Sequence, residues 1–415
     1  MHSTPQKPTP NASMSYRSIR DLDLRGKRVL LRVDFNVPLD ADGMTITSDA
    51  RIRAALPTVR ALLDAGAMLV LASHLGRPQG KPNPKMSLMP IAERLGELLG
   101  KNVAMASDCI GGEVMQRAQS LTSGDVLMLE NLRFHAGEEK NDPEFARSLA
   151  GLCDTYVNDA FGAAHRAHAS TAGIVEHVSA AAAGLLTERE IKYLSMALRE
   201  PARPYISILG GAKVSGKIDV IRNLLEISDR VLIGGAMTYT FLKSQGLPVG
   251  NSLVEDEKLD LAAELLAAAG DRLLLPQDHV VAPDLAADAP TRTVHGSGQP
   301  IPDGWKALDI GPKTIAAYLH EIVAGNMIVW NGPMGAFEIE PFAHGTMEVA
   351  KAVAASEATS IIGGGDSEKA LQIAGVADRI THISSGGGAS LEFLAGKTLP
   401  GIEALEASAR SKQRS

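Results

Sequence analysis

In the first half of the chain, each short apolar run leads into a segment bearing cations, a carboxylate or a carboxamide. The run at 28–33 precedes DFNVP (34–38), that at 67–72 precedes SHLGRP (73–78), that at 126–129 precedes ENLRFH (130–135), and that at 155–157 precedes NDAFGAAHRAH (158–168). Arginine offers a planar fork of donors that grips carboxylate or phosphate through two bonds at once. Arg77, Arg133 and Arg166, together with His74, therefore suit a small, multiply anionic ligand, and Asp34 and Asn36 suit its hydroxyl groups. Arg51 opens the helix-like ARIRAALPTVRALL (50–63) and can reach the same rim. Arg53, two positions on, belongs to another helix face and reads as structural. His165 and His168 read as basic neighbours or hydrogen-bonding props of Arg166.

The second half repeats the pattern with glycine in place of arginine. Apolar runs at 205–209, 230–233, 272–275, 327–330, 360–362 and 382–383 are mostly followed by GGAKVSGK (210–217), GGAM (234–237), NGPMG (331–335), GGGDS (363–367) and SSGGGAS (384–390). Glycine lets backbone approach a ligand, and N–H groups at a following helix start bind phosphate oxygens. Several such loops predict a nucleotide, with Gly234, Gly235 and Asn331 among its contacts. Residues 211–217 fit GxxxxGK, but Ile218 stands where a P-loop needs Ser or Thr for magnesium, so that reading is set aside. Lys213 and Lys217, four apart, are expected to share a helix face turned to a polyphosphate. Asp366, in a glycine-rich helix start, is the carboxylate best placed for nucleotide-bound Mg2+, with an N-cap as its competing role. Glu338 suits a ribose hydroxyl.

Apolar β-branched runs alternating with stretches of 3.6-residue apolar spacing are the signature of βαβ units. The expected fold is α/β, with two doubly wound parallel-sheet (Rossmann-like) domains, whose ligand crevices lie at the carboxyl ends of the strands. Between them TEREIKYLSMALRE (187–200) reads as a connecting helix, with Thr187 and Glu190 as a capping box and Pro201 and Pro204 as its stop. The expected division is a disordered tail at 1–15, an acid-binding domain at 16–186, the helix at 187–200, a nucleotide-binding domain at 201–396 and a final segment at 397–415. Met14 offers a second candidate start within the proline-rich tail. If one half holds a small anion and the other a nucleotide, the domains are expected to close to bring them together.

Composition narrows the function classes. At 415 residues, with 45% hydrophobic and 21% charged, the chain can bury two or three cores. A net charge of −7 and 4% aromatic residues argue against nucleic acid as a partner. No apolar run nears the roughly 18 residues of a membrane span. Two cysteines without a CxxC suit a reducing compartment, so a cytoplasmic location is expected. A nicotinamide-dependent dehydrogenase would need GxGxxG after its first strand, where this chain has DFNVP.

From residue 18 to the C-terminus the sequence closely resembles the phosphoglycerate kinase family. VLLRVDFNVP, ASHLGRP, LENLRFH, DAFGAAHRAH, GGAKVSGK, VWNGPMGAFE, IIGGGDS and SSGGGASLEFL all match its motifs, in sequence order. The resemblance implies two similar-sized domains across a cleft and reversible phosphoryl transfer from 1,3-bisphosphoglycerate to MgADP, giving 3-phosphoglycerate and MgATP. By motif match, Asp34, Asn36, Arg51, His74, Arg77, Arg133 and Arg166 look like the triose-acid site. Lys217, Glu338, Gly364, Gly365, Asp366 and Ser367 look like the nucleotide site. Arg51, Lys213 and Lys217 look like the groups that stabilise the transferring phosphoryl group. The family also implies a monomer whose last segment packs on the N-terminal domain. Ser367 stands where many relatives have threonine, and Gly216 replaces a larger residue. The alternatives are a non-catalytic nucleotide- and acid-binding relative, or a kinase for another small phosphorylated acid.

Overall fold

The computed structural model describes residues 16–295 and 300–412; the tail expected at 1–15 lies outside the described residues. The chain divides into two compact units. One runs to Lys192 and resumes at Thr398; the other is Tyr193–Lys397.

The first unit holds a six-stranded parallel sheet of β1 (Arg28–Val33), β2 (Met68–Ala72), β3 (Ala104–Met105), β4 (Val126–Met128), β5 (Thr155–Asp159) and β6 (Ala181–Ala183), in the order β3-β4-β2-β1-β5-β6. Both faces of β1 are buried, as a central parallel strand requires. Val29, Leu31 and Val33 enter one apolar core, and Leu30 enters the other. The strand also carries Arg32, which is fully buried. From β1 the chain winds outward one way to β2 and β4, then returns beside β1 as β5 and continues to β6. The switch point, where a ligand crevice opens, therefore lies between β1 and β5. The helix Pro400–Lys412 adds Leu405 to the same core as Leu30, and Gly401 N–H donates to the Ala164 carbonyl at 2.9 Å.

The second unit repeats this plan with β7 (Tyr205–Leu209), β8 (Arg230–Ile233), β9 (Leu273–Leu274), β13 (Met327–Asn331), β14 (Thr359–Gly363) and β15 (His382–Ile383), in the order β15-β14-β13-β7-β8-β9. Its switch point falls between β7 and β13. Sequence reasoning missed a second sheet here. The strands β10 (Asp278–Ala282), β11 (Arg292–His295) and β12 (Lys306–Ile310) form a three-stranded antiparallel sheet, which closes over Tyr239 and Leu242 of the helix Met237–Ser244. β11 is half exposed, and polar residues open β10 (DHVVA) and interrupt β12 (KALDI), so they lack the continuous apolar run that marks the central parallel strands.

The helix between the sheets is Leu185–Arg199, starting two residues before the expected cap. Thr187 is inside it, and its buried hydroxyl has no hydrogen-bond partner. The first turn is held instead by Asp159 at the end of β5, whose Oδ1 accepts from the N–H groups of Leu186 (2.9 Å) and Thr187 (3.2 Å). A long-range carboxylate thus replaces the local capping box.

Candidate active site

In the first unit, the loops leaving β1, β2, β4 and β5 carry the charged segments, and the sheet order sets them side by side. Arg51, in the first turn of the helix Ala50–Asp64, donates from Nη1 to both Asp34 oxygens at 3.0 and 3.1 Å. Asn36 Oδ1 accepts from the Gly76 N–H at 2.9 Å, and Arg133 donates to the Gly76 carbonyl at 2.7 Å. The β1 and β4 loops are thereby tied to the β2 loop. Arg133 is buried, and its Nε sits 3.3 Å from Glu139. Arg77 and Arg166 are exposed, with Arg166 Nε donating to His165. Arg53, as expected, is structural: it pairs with Asp49 at 2.9 Å.

Electrostatics in this cluster are strongly biased. Burial pushes the Asp34 carboxyl up, but its neighbours His74, Arg51 and Arg32 outweigh that and hold it below the usual range. His74 is held well below its ordinary value by burial, which outweighs the pull of Asp34 and is aided by Arg32, Arg133 and Arg51. His168 is pushed down to about 4, first by burial and then by Arg32 and Arg133. A cluster this rich in permanent positive charge disfavours protonated imidazoles and favours an anion.

Three residues behind this surface escaped the sequence reading. Arg32 lies at the end of an apolar strand with its guanidinium on Ser170 Oγ (2.8 Å), on the Val33 carbonyl and on His74 Nδ1 (3.1 Å). Glu138, fully buried, accepts from Ser170 Oγ at 2.6 Å and Ser170 N–H at 3.0 Å. A charge inside the run RVLLRV was the available signal for Arg32. Glu138 and Ser170 gave none, because they meet only through the fold.

In the second unit, the loops at the ends of β7, β8 and β13 pack against one another. Gly332 has φ +97°, and a Cβ there would run into the Gly210 carbonyl; a Cβ on Gly235 (φ +68°) would run into the Gly211 backbone, and one on Gly234 into Met334. These glycines serve loop-on-loop packing. Gly216 and Gly365, by contrast, face open space.

Lys213 and Lys217 share no helix face, contrary to expectation. Both precede the helix Ile218–Ile227, on a turn whose glycines delay the helix start. Lys213 is exposed. Lys217 reaches the switch point, where Nζ donates to the Asn331 carbonyl at 2.8 Å and to Asn331 Oδ1. Burial pulls its ammonium down to about 8, with Asp366 opposing. The Asn331 Nδ2 donor is buried and has no partner. Ser367 Oγ accepts from the Gly332 N–H at 2.7 Å, joining the β13 and β14 loops. Gly364 is the N-cap of the helix Gly365–Ile373, so Asp366 is left in the first turn, exposed and without a hydrogen bond among the described residues. Glu338 is exposed, 3.8 Å from Lys369.

Each unit therefore gathers candidate residues on the loops at the carboxyl ends of its strands. The phosphoglycerate kinase family matches residues 19–397. The chain belongs to the phosphoglycerate kinase family. It is 62% identical over 396 residues to the phosphoglycerate kinase of Solibacter usitatus, covering 95% of this chain and 100% of that protein. It is 58% identical to that of Chlorobium limicola, covering 94% and 100%. Among solved structures, phosphoglycerate kinase from Coxiella burnetii matches with a TM-score of 0.86 at 40% identity, over 96% of this chain and 100% of that one. Phosphoglycerate kinase from Pyrococcus horikoshii matches with 0.83 at 35% identity and the same coverage. The two-sheet α/β architecture is thus that of the family. Among the described residues, no helix is long and apolar enough to cross a membrane.

Proposed function

We propose that this chain is a phosphoglycerate kinase that moves a phosphoryl group reversibly between 1,3-bisphosphoglycerate and MgADP, yielding 3-phosphoglycerate and MgATP. The observation that carries the reading is the pairing, in one chain, of an arginine, histidine and carboxylate surface with a lysine, glycine and aspartate surface. The first has the chemistry for a small phosphorylated acid: Arg77, Arg133 and Arg166 for the phosphate, and Asp34, Asn36 and His74 for the hydroxyl and carboxyl groups. The second has the chemistry for a nucleotide: Lys217 and the Gly364–Ser367 turn for phosphates, and Glu338 for the ribose.

The donor is an acyl phosphate that leaves as a carboxylate, and the attacking oxygen of ADP is already ionised. No general base is needed, and the protein's task is positioning and charge neutralisation. This agrees with sites dominated by permanent cations and backbone N–H groups. In-line transfer requires both substrates together, so closure of the two units is part of the proposal. Arg51 and Lys213 then stabilise charge on the group in flight. Asp366, an unengaged carboxylate beside the turn and close enough to Lys217 to influence its charge, fits a nucleotide-bound Mg2+, which would neutralise phosphate charge.

The test is a coupled assay of purified protein with 3-phosphoglycerate and MgATP, using Lys217→Ala and Arg133→Ala as controls. Turnover that needs magnesium, Lys217 and Arg133 is expected. Folded protein that binds nucleotide but leaves 3-phosphoglycerate untouched would overturn the reading.

A further inference from the structure

We propose that Arg32 is a positioning residue that fixes His74 as the Nε2–H tautomer, so that His74 presents a hydrogen-bond donor to the acid substrate. The inference rests on the functional reading above, which places His74 in the acid site. It begins with donor and acceptor inventory. A guanidinium has only donors, so the 3.1 Å contact between Arg32 Nη2 and His74 Nδ1 requires a lone pair on Nδ1. The single ring proton of a neutral imidazole must then sit on Nε2. His74 Nε2 has no hydrogen-bond partner among the described residues, which leaves that donor available.

The groups facing His74 come from three other places in the fold. Arg32 and Asp34 lie on or next to β1, Arg51 on the helix Ala50–Asp64, and Arg133 on the short helix Leu132–Phe134. Asp34 alone favours a protonated ring, and its nearest oxygen is 4.0 Å from Nδ1, beyond a hydrogen bond. Burial and the three arginines act the other way.

Arg32 is itself held rigidly. Its Nε donates to Ser170 Oγ, so that hydroxyl turns its own proton to Glu138 Oε1 at 2.6 Å, and the Ser170 N–H donates to Oε2 at 3.0 Å. All three side chains are fully buried. Donation thus runs outward from Arg32, through the Ser170 hydroxyl to Glu138 on one side and to His74 Nδ1 on the other. A side-chain arrangement with a single satisfied proton assignment specifies that assignment. The free end of the chain is the Nε2–H.

The experiment is a two-bond proton–nitrogen correlation spectrum of 15N-labelled protein, with His74 assigned by its loss in His74→Gln. The expected result is a neutral Nε2–H pattern that persists on acidification past the ordinary imidazole value, with Nε2 shifting when 3-phosphoglycerate is added. In Arg32→Met the pattern should mix tautomers or titrate. KM for 3-phosphoglycerate should rise about tenfold or more, with kcat and the KM for ATP much less affected. Arg32→Lys, which keeps charge but loses the planar fork, should fall between. The wild-type spectrum decides the tautomer even if a variant misfolds. A Nδ1–H pattern, titration near 6.5, or an Nε2 signal that ignores 3-phosphoglycerate in protein that turns it over would each overturn the proposal. Protein that neither binds nor turns over 3-phosphoglycerate would overturn the functional reading, and the proposal with it.

Discussion

The two half-sites meet anions by different means. In the first unit Arg77 and Arg166 are exposed, but the buried and half-buried polar side chains are already bonded: Arg51 to Asp34, Arg133 to the Gly76 carbonyl, Arg32 to His74. In the second, Lys217 is held on Asn331 and Ser367 on the Gly332 N–H, while Lys213, Asp366 and Glu338 are exposed. A small rigid acid offers few atoms, so its recognition depends on pre-set side-chain angles. A nucleotide offers a long polyphosphate, which backbone N–H groups and lysine side chains can follow. Rigidity is thus concentrated in side chains on one side and in glycine-packed backbone on the other.

The largest expected effect breaks the comparison at the two cations assigned to the group in flight. Arg51→Ala and Lys213→Ala should each lower kcat by about 10²–10³-fold, with little change in the KM for nucleotide. Arg51→Ala should also raise the Asp34 carboxyl pKa, because one of its nearest cations is gone; Lys213→Ala should disturb no native bond. Steady-state kinetics with both substrates varied would check this. Unchanged kcat in either variant removes that residue from the catalytic role.

Next comes the glycine contrast. Gly332→Ala must place a Cβ against the Gly210 carbonyl in a backbone conformation, φ +97°, that side chains rarely adopt. The expected loss is about 1–3 kcal/mol from overpacking, with the strained backbone adding to it. Gly365→Ala faces open space and should melt like wild type, yet weaken nucleotide binding by crowding the helix start. Thermal melts paired with nucleotide titrations separate the two. Equal destabilisation would erase the division between packing and ligand-facing glycines.

A smaller effect follows from Lys217. Burial lowers its ammonium to about 8, so in free protein that proton is about half lost at this pH and mostly lost above it. A bound polyphosphate restores the charged form, so binding takes up a proton there. Affinity for nucleotide should therefore fall as pH rises above about 8, by up to about tenfold per unit. The fall should flatten in Lys217→Met. Calorimetric titrations across that range would test the sign.

Much of this was legible in the sequence for a physical reason. Parallel strands buried on both faces write themselves as continuous apolar runs, and candidate ligand groups follow within a few residues of strand ends, as Asp34, His74 and Asp366 do. Partnerships set by the fold were not legible. Ser170 lies 138 residues from Arg32, and Asp159 caps a helix that begins 26 residues later. Lys213 and Lys217 had helical spacing, but the glycines around them favour a turn over a helix. In strands β10 and β12 polar residues break up the apolar run, and β11 is half exposed, which left no clear apolar signal.

The smallest expected effect concerns Gly216, between those two lysines. Its Cβ direction is open and its φ lies outside the left-handed region, so alanine fits the native backbone. Gly216→Ala should then stabilise the protein by about 0.4–1 kcal/mol, by restricting the unfolded chain. If the loop's freedom matters only for folding, kcat stays at the wild-type value. If Lys213 must travel to the phosphoryl group, stiffening the turn beside it should lower kcat while the melting temperature rises. The first result would make the nucleotide half-site as pre-set as the acid half-site; the second would locate the moving part of the machinery in this one turn.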